Sequence, residues 1–242
     1  MKSPLVTVII PTRNRLSLLT RAVASVRRIT ELPVELIVVD GRSSDGTERW
    51  LRKQHDIAVI PELEPQGFVK AVNLGFRCAA GKYISWLNDD AEYEALAIEN
   101  AVGLLSLPCN RDAAVAAFYY ESNFSLATEY LRTKLRGRRF KMRHVRGLLF
   151  ANFGLFRKSV LGKLGYFDER FSFYGADPDF CVRAWRAGYR VIPSVGSFVI
   201  QRRTKVHNRT RNVRKLIADN EALLKKHGWQ AGTLRLPACG LL

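Results

Sequence analysis

Close cysteine pairs are missing from this 242-residue chain: Cys78, Cys109, Cys181 and Cys239 stand far apart, without the spacing of a zinc site or a dithiol motif. A reducing compartment fits that usage. A long apolar run is missing too. After Met1–Pro4 only a strand's length of apolar residues precedes Pro11 and Arg13, too short for a signal-peptide core or a membrane span, and no later stretch is long and apolar enough to span either. Neither GxGxxG nor GxxxxGK[ST] occurs, so neither dinucleotide nor P-loop chemistry is indicated. Acids are scarce, with 22 Asp and Glu against 39 Lys and Arg and a net charge of +17. Such an excess favours polyanionic company, whether nucleic acid, an anionic membrane face or phosphorylated substrates, and does not choose among them. Repeats, low-complexity segments and an obvious interdomain linker are also absent.

What is present is a core. Hydrophobic residues make up 47% of the chain and aromatics 10%, which argues against disorder, and the length fits one large α/β domain or two small ones. "LVTVIIP" is a β-branched run, and the segment after it places Leu18, Leu19, Ala22, Val23 and Val26 at helical spacing. "VELIVVDG" repeats the strand signal. Asp45 is then expected as an N-cap, with Glu48 three residues on completing a capping box. A strand at Ile57–Ile60, a helix around Phe68–Ala79 and a strand at Lys82–Leu87 continue the alternation. This order predicts an α/β fold with a mainly parallel sheet and helices on both faces. Later, "AAVAAFYY" and "GLLFANFGLF" are expected as strands, Asp177–Gly188 as a helix, "YRVIPSVGSFVI" as a closing strand and "RNVRKLIADNEALLKKHGW" as a C-terminal helix.

The polar residues fall in one place. In such a sheet ligands bind outside the carboxyl ends of the strands. There "PTRNR" follows the first strand, Asp40 the second, and Asn88, Asp89 and Asp90 the strand "YISWL". Each alone could be a turn or a cap. Two adjacent carboxylates need a cation, a proton or open water, and with an amide beside them they form a hard oxygen set of the kind that holds Mg²⁺ or Mn²⁺ and leaves room for phosphate oxygens.

Four stretches, "VTVIIPTRNR", "IVVDGRSSDGT", "GFVKAVNLGFRCAAGKYISWLNDDA" and "LFRKSVLGKLGYFDERFSFYGADPDFCVRAWRAGYRV", resemble in order and spacing the inverting family 2 glycosyltransferases of the GT-A fold, particularly their rhamnosyltransferase-like branch. The resemblance runs over roughly residues 4 to 200. It implies that Pro11, Thr12 and Arg13 border a nucleotide base, that Asp40 accepts a hydrogen bond from base or ribose, and that Asn88, Asp89 and Asp90 occupy the family's D-x-D position. Asp90 is the leading metal ligand. Asn88 replaces the family's first Asp, which implies weak or substrate-dependent binding of Mg²⁺ or Mn²⁺.

By the same resemblance Asp177, in "GADPDF", is the general base, with Asp179 the last carboxylate of the family's E-D-x-D segment and Ala176 in place of its Glu. Asp177 can equally be an N-cap, and the roles are compatible. Asp168, Tyr174 and Asp179 are candidate acceptor contacts, and Tyr166, Phe167 and Phe173 could be acceptor platforms or core. Where many relatives carry a metal-binding loop His, this chain has Gln201 and Arg202, with His207 farther on; Arg202 or Arg203 could help neutralise a diphosphate.

The organisation expected is a nucleotide-sugar-binding half over 1–110, an acceptor-binding and catalytic half over 111–200, and a basic C-terminal helical extension over 201–242. The expected function is inverting transfer of a sugar from a UDP-, dTDP- or GDP-linked donor to a glycan or lipid-linked acceptor, in cell-surface polysaccharide or glycolipid synthesis. The protein is expected in the cytoplasm, peripheral to the inner face of the membrane if it docks there. Two alternatives stand beside this. One is a catalytically impaired scaffold, favoured by Ala176 and the missing loop His. The other is a basic nucleic-acid binder: Arg132–Arg146 holds eight Lys or Arg and Arg202–Lys215 seven, neither with an acid, but no nucleic-acid-binding motif is present and no nucleic acid is expected.

Overall fold

A computed structural model describes residues 3–29, 31–121, 130–145, 148–201 and 209–229. The first half alternates as its sequence predicts: β1 (Val6–Thr12), α1 (Leu16–Arg27), β2 (Val34–Asp40), α2 (Thr47–Leu51), β3 (Ile57–Pro61), α3 (Phe68–Cys78) and β4 (Tyr83–Trp86). It continues through β5 (Ala91–Tyr93), α4 (Ala97–Ser106), β6 (Ala113–Tyr120), β7 (Tyr130–Leu135), β8 (Arg138–Val145), β9 (Leu148–Phe150) and β10 (Gly154–Arg157). Then come α5 (Lys158–Leu164), α6 (Ala176–Arg186), β11 (Arg190–Gln201) and the C-terminal α7 (Arg209–His227).

One sheet runs β3-β2-β1-β4-β10-β6-β11-β5, with the β7–β8 hairpin and β9 attached through β6. The β1, β2, β3 and β4 contacts and the β6–β11 contact are parallel, while β10 and β5 join antiparallel. This is the α/β architecture with a mainly parallel sheet that the sequence predicts. Helices cover both faces, so the central strands are apolar throughout. Along β1, Val6, Val8 and Ile10 enter the core beneath Leu19 and Val23, and Ile9 enters the opposite core with Val72, Phe76 and Trp86. Gly75 lets α3 sit on β1, since a Cβ there would lie 2.5 Å from Ile9 Cγ2.

Three local expectations change. Asp45 does accept the Thr47 N–H at 3.1 Å, but Gly46, with φ of 94°, is the residue before α2, and Glu48 pairs with Arg52 instead of closing a capping box. "GLLFANFGLF" is two strands rather than one. β9 pairs with β8 and β10 with β4 and β6, so the chain bends between them to change partners while Ala151 and Phe153 stay buried. The basic run from Arg132 is a hairpin. Arg136 and Gly137, with φ of 48° and 75°, make its turn, and Phe140 and Met142 alternate inward.

Candidate functional site

The carboxyl ends of β1, β2 and β3 lie side by side, with Thr12 opposite Asp40 and Asp40 opposite Pro61. Two loops leave this edge and are stitched together. Asn14, at φ 53°, donates its N–H to Ser43 Oγ at 2.9 Å, and its Oδ1 accepts the Ser44 N–H at 2.7 Å. Asp45 then accepts the Leu16 N–H at 3.0 Å, so one carboxylate serves the starts of both α1 and α2. Asn in the left-handed region and Ser, Ser and Asp in the facing loop explain why "TRN" and "SSD" fold onto each other.

The adjacent acids are held by this frame. Asp89 Oδ2 accepts the Thr12 hydroxyl at 3.0 Å and Asp89 Oδ1 the Arg15 guanidinium at 3.0 Å. Burial raises the Asp89 pKa above its ordinary value, Arg15 opposes that shift and the neighbouring Asp90 adds to it. Asp90 is also buried, with Oδ2 3.7 Å from Arg15 and Oδ1 3.5 Å from Gln201 Nε2. Gln201 reaches it because β11 pairs antiparallel with β5, setting Gln201 opposite Ala91. Asn88 Oδ1 is buried and has no hydrogen-bond partner among the described residues. No group of three or more His, Cys, Asp or Glu side chains suited to a metal occurs among the described residues.

Asp40 is buried, and its Oδ1 accepts the Ser43 hydroxyl at 2.5 Å. Pro11 is half-buried and Arg13 exposed beside it. The sequence reading gave no role to two charged neighbours, Arg15 within "PTRNR" and Glu62. Arg15 is the cation that both adjacent acids share. Glu62 follows β3, and its carboxyl is pushed up by burial, with Asp40 adding. The signal for Glu62 was positional, because a residue just past the third parallel strand must arrive at the same edge.

Asp177 is the second residue of α6 and is partly buried. Burial pushes its carboxyl up to about 7, against the opposing pull of Arg143 on β8. Gly175 precedes the helix because a Cβ there would collide with the Phe171 ring.

The remaining acceptor candidates divide. Tyr174 is half-buried, its ring 4.8 Å from that of Phe173, which in turn lies 4.4 Å from Phe68. Phe167 is a core residue, packed edge-on against Phe76 and Trp86 at 5.1 Å, not an acceptor platform. Asp168 binds Arg170 and Lys226, and these bonds, led by Arg170, hold its carboxyl well below the usual range. Asp179 has no exposed side-chain surface in this structure. It receives Arg183 Nε at 2.8 Å, His227 Nε2 at 2.9 Å and Lys226 Nζ at 2.5 Å. Burial alone would raise its pKa, and those bonds outweigh burial and lower it. Arg202, Arg203 and His207 lie outside the described residues.

The model for glycosyl transferase family 2 matches residues 7–165. An uncharacterized glycosyltransferase of Rickettsia prowazekii (strain Madrid E) is 34% identical over 117 residues, which is 48% of this chain and 37% of that protein. A second, from Rickettsia typhi (strain ATCC VR-144 / Wilmington), is 33% identical over the same share of each. The chain therefore spans well under half the length of these relatives. Among solved structures, the mannosyltransferase PcManGT of Pyrobaculum calidifontis, in complex with GDP-Man and Mn²⁺, superposes with a TM-score of 0.67 at 21% identity, covering 93% of this chain and 65% of that one. S. aureus TarS 1-349 in complex with UDP superposes with a TM-score of 0.61 at 17% identity, covering 88% and 64%.

Proposed function

The chain belongs to glycosyl transferase family 2, and on that premise we propose that it transfers a sugar, with inversion, from a nucleoside-diphosphate donor to an acceptor hydroxyl. The observation that carries this reading is the Asn88–Asp90 segment at the strand ends. Among the described residues, Thr12 and Arg15 occupy Asp89, while Asn88 Oδ1 has no partner and Asp90 is held at 3.5 and 3.7 Å. An unpartnered amide oxygen beside a loosely held carboxylate is a hard donor set, and it fits Mg²⁺ or Mn²⁺ better than a softer metal. Asp90 and Asn88 would hold that ion. When bound, it supplies Lewis acidity to the leaving diphosphate.

The chain's own groups do the rest. Thr12, Pro11 and Arg13 border the base, and Asp40, fixed by Ser43, accepts a hydrogen bond from base or ribose. Arg15 adds positive charge beside the phosphates. Asp177 takes the proton of the acceptor hydroxyl as the acceptor oxygen bonds to the anomeric carbon. The bond from that carbon to the phosphate oxygen breaks, and its electron pair leaves with the nucleoside diphosphate. A carboxyl near pH 7 is suited to that work. One base attacking in line from the face opposite the leaving group gives inversion.

The donor we propose is a UDP-, dTDP- or GDP-sugar. The Mn²⁺ and GDP-Man of one structural neighbour and the UDP of another are in keeping with that class. The acceptor is a glycan or lipid-linked glycan of the kind used in cell-surface polysaccharide or glycolipid synthesis, as in the rhamnosyltransferase-like branch, reached from the cytoplasmic side by a peripheral enzyme. No helix among the described residues is long and apolar enough to cross a membrane. A second reading has one observation in its favour: Ala176 is buried where the family's Glu would stand, so a scaffold that binds donor without turnover is the competing outcome. Thermal-shift measurements with UDP, dTDP and GDP, with and without MgCl₂ or MnCl₂, followed by nucleotide release from the matching sugars, test both. Stabilisation with release supports the transferase, stabilisation without release the scaffold, and no stabilisation by any nucleotide overturns the proposal.

A further inference from the structure

The last helix is fastened to the segment that leads into Asp177. Asp219, 4% exposed on α7, gathers four donors from that segment: the N–H groups of Ser172, Phe173 and Tyr174 at 2.9, 2.8 and 2.7 Å, and the Ser172 hydroxyl at 3.1 Å. Two turns farther along α7, Lys226 and His227 bind Asp179 on the first turn of α6. Lys226 also binds Asp168, and Arg186 of α6 donates to the His227 carbonyl at 3.1 Å. Asp177 lies between the two anchorages, three residues after Tyr174 and two before Asp179. These contacts lie beyond residues 7–165, which the family match covers.

We propose that α7 is a positioning strut for the general base, with Asp219, Lys226 and His227 setting the place of Asp177 without touching substrate. The inference rests on the reading of Asp177 as base. Its physical ground is that three convergent backbone donors on one carboxylate fix the path of a loop that has no sheet or helix ladder of its own. Buried Asp179, satisfied by Arg183, Lys226 and His227, fixes the helical turn on the other side of Asp177. A base displaced by about 1 Å forfeits on the order of a hundredfold in rate, so anchoring both flanks serves catalysis more than it serves the core.

The test uses the full chain carrying Asp219→Ala, with Asp219→Asn as the conservative variant that keeps one acceptor oxygen. Amide hydrogen exchange needs no substrate. In Asp219→Ala, exchange is expected to rise about tenfold or more at 172–174 and also at Asp177 and Asp179, with β1 and β4 unchanged. Acceleration confined to 172–174 would overturn the strut. Hydrolytic nucleotide release from UDP-glucose, dTDP-glucose or GDP-mannose gives the second readout. Release should fall about tenfold or more in Asp219→Ala while the thermal shift produced by the nucleotide stays the same, and Asp219→Asn should recover part of the loss. In an Asp177→Asn background Asp219→Ala should cost nothing further; an equal loss in both backgrounds would overturn the strut. Full release by Asp177→Asn alone is a separate outcome, which removes the assignment of the base itself.

Discussion

The Thr12 hydroxyl donates to Asp89 Oδ2 at 3.0 Å although 77 residues separate the two in sequence. The contact joins the end of β1 to the turn just after β4, and these two strands are parallel neighbours. With Arg15 on its other oxygen, Asp89 has both oxygens engaged by the protein, and Asp90 is left the less engaged of two adjacent acids. The pair thereby divides its contacts: Asp89 is engaged by the edge itself, and Asp90 is the acid proposed to meet the metal.

Asp90→Asn is accordingly expected to abolish the additional thermal stabilisation that MgCl₂ or MnCl₂ gives in the presence of nucleotide, and to abolish metal-dependent turnover. Its melting temperature without ligand should not fall more than about 2 °C below wild type, because the amide keeps the shape of the side chain and removes the repulsion with Asp89. Asp89→Ala should instead lower the melting temperature, because the Thr12 hydroxyl and the Arg15 guanidinium both lose their acceptor. Metal-dependent release at the normal rate by folded Asp90→Asn would remove Asp90 from the metal site.

Asp40→Ala is expected to weaken nucleotide binding about tenfold or more, the size of one lost hydrogen bond to a charged acceptor. Calorimetric titration with the nucleotide that stabilises wild type reads this directly. Turnover at saturating donor should change much less. Unaltered affinity would place the base or ribose elsewhere on the edge, with Glu62 the next carboxylate to examine.

The parts legible in the sequence were those that depend on strand periodicity. Continuous apolar runs ending in Thr12, Asp40 and Asn88 announce buried parallel strands and the edge where they stop, and the structure brings those ends together. The role of Arg15, the last residue of "PTRNR", was not legible, and neither was that of Glu62 just past the third strand, because a charged residue near a strand end looks like any surface charge until the register is known. The β7–β8 hairpin was hidden by its charge. Arg and Lys dominate the run, and only Phe140 and Met142, two residues apart, carry the alternation that buries it. The fate of Asp179 was hidden for another reason: its partners Lys226 and His227 lie on a helix 48 residues away, and no local pattern records such a pairing.

Asp177→Asn should leave nucleotide binding intact and cut turnover about a hundredfold or more, the usual worth of a positioned base. In wild type, turnover should rise with pH through about 7, as the carboxyl becomes the carboxylate that accepts the proton. Stability runs the other way. The group's pKa is raised in the folded chain from 3.8 to about 7, so its stabilising contribution is complete below about pH 4 and lost as the pH rises through 7. Asp177→Asn has nothing to ionise and is expected to melt a few degrees higher than wild type at pH 8, with the advantage shrinking towards pH 5. A variant less stable than wild type at pH 8 would mean that the carboxylate is a structural partner and not a strained base.

The β7–β8 hairpin carries the last prediction. Arg132, Lys134, Arg136 and Arg139 are exposed along it. Several of its cations have partners at home, among them Arg138 with Glu121, Arg136 at 3.9 Å from Glu94 and Lys141 over the Tyr120 ring, but the balance stays strongly positive. Because β8 joins β6 at Tyr120 and Lys141, and Arg143 acts on Asp177 from the same strand, the charge stands on the half of the molecule proposed to receive the acceptor. An anionic leaflet attracts each nearby Lys or Arg by about 1 kcal/mol, fading within a Debye length of roughly 8 Å. Three or four such side chains give an affinity that salt can reverse. The protein is therefore expected to sediment with phosphatidylglycerol-containing vesicles and not with phosphatidylcholine alone, and to be released by about 0.5 M NaCl. Replacing Arg136, Arg138, Arg139 and Lys141 together by Gln should weaken sedimentation at least tenfold without changing the thermal shift given by nucleotide. Binding to neutral and anionic vesicles alike, or to neither, would count against membrane docking and leave a soluble polyanionic acceptor as the use of the charge.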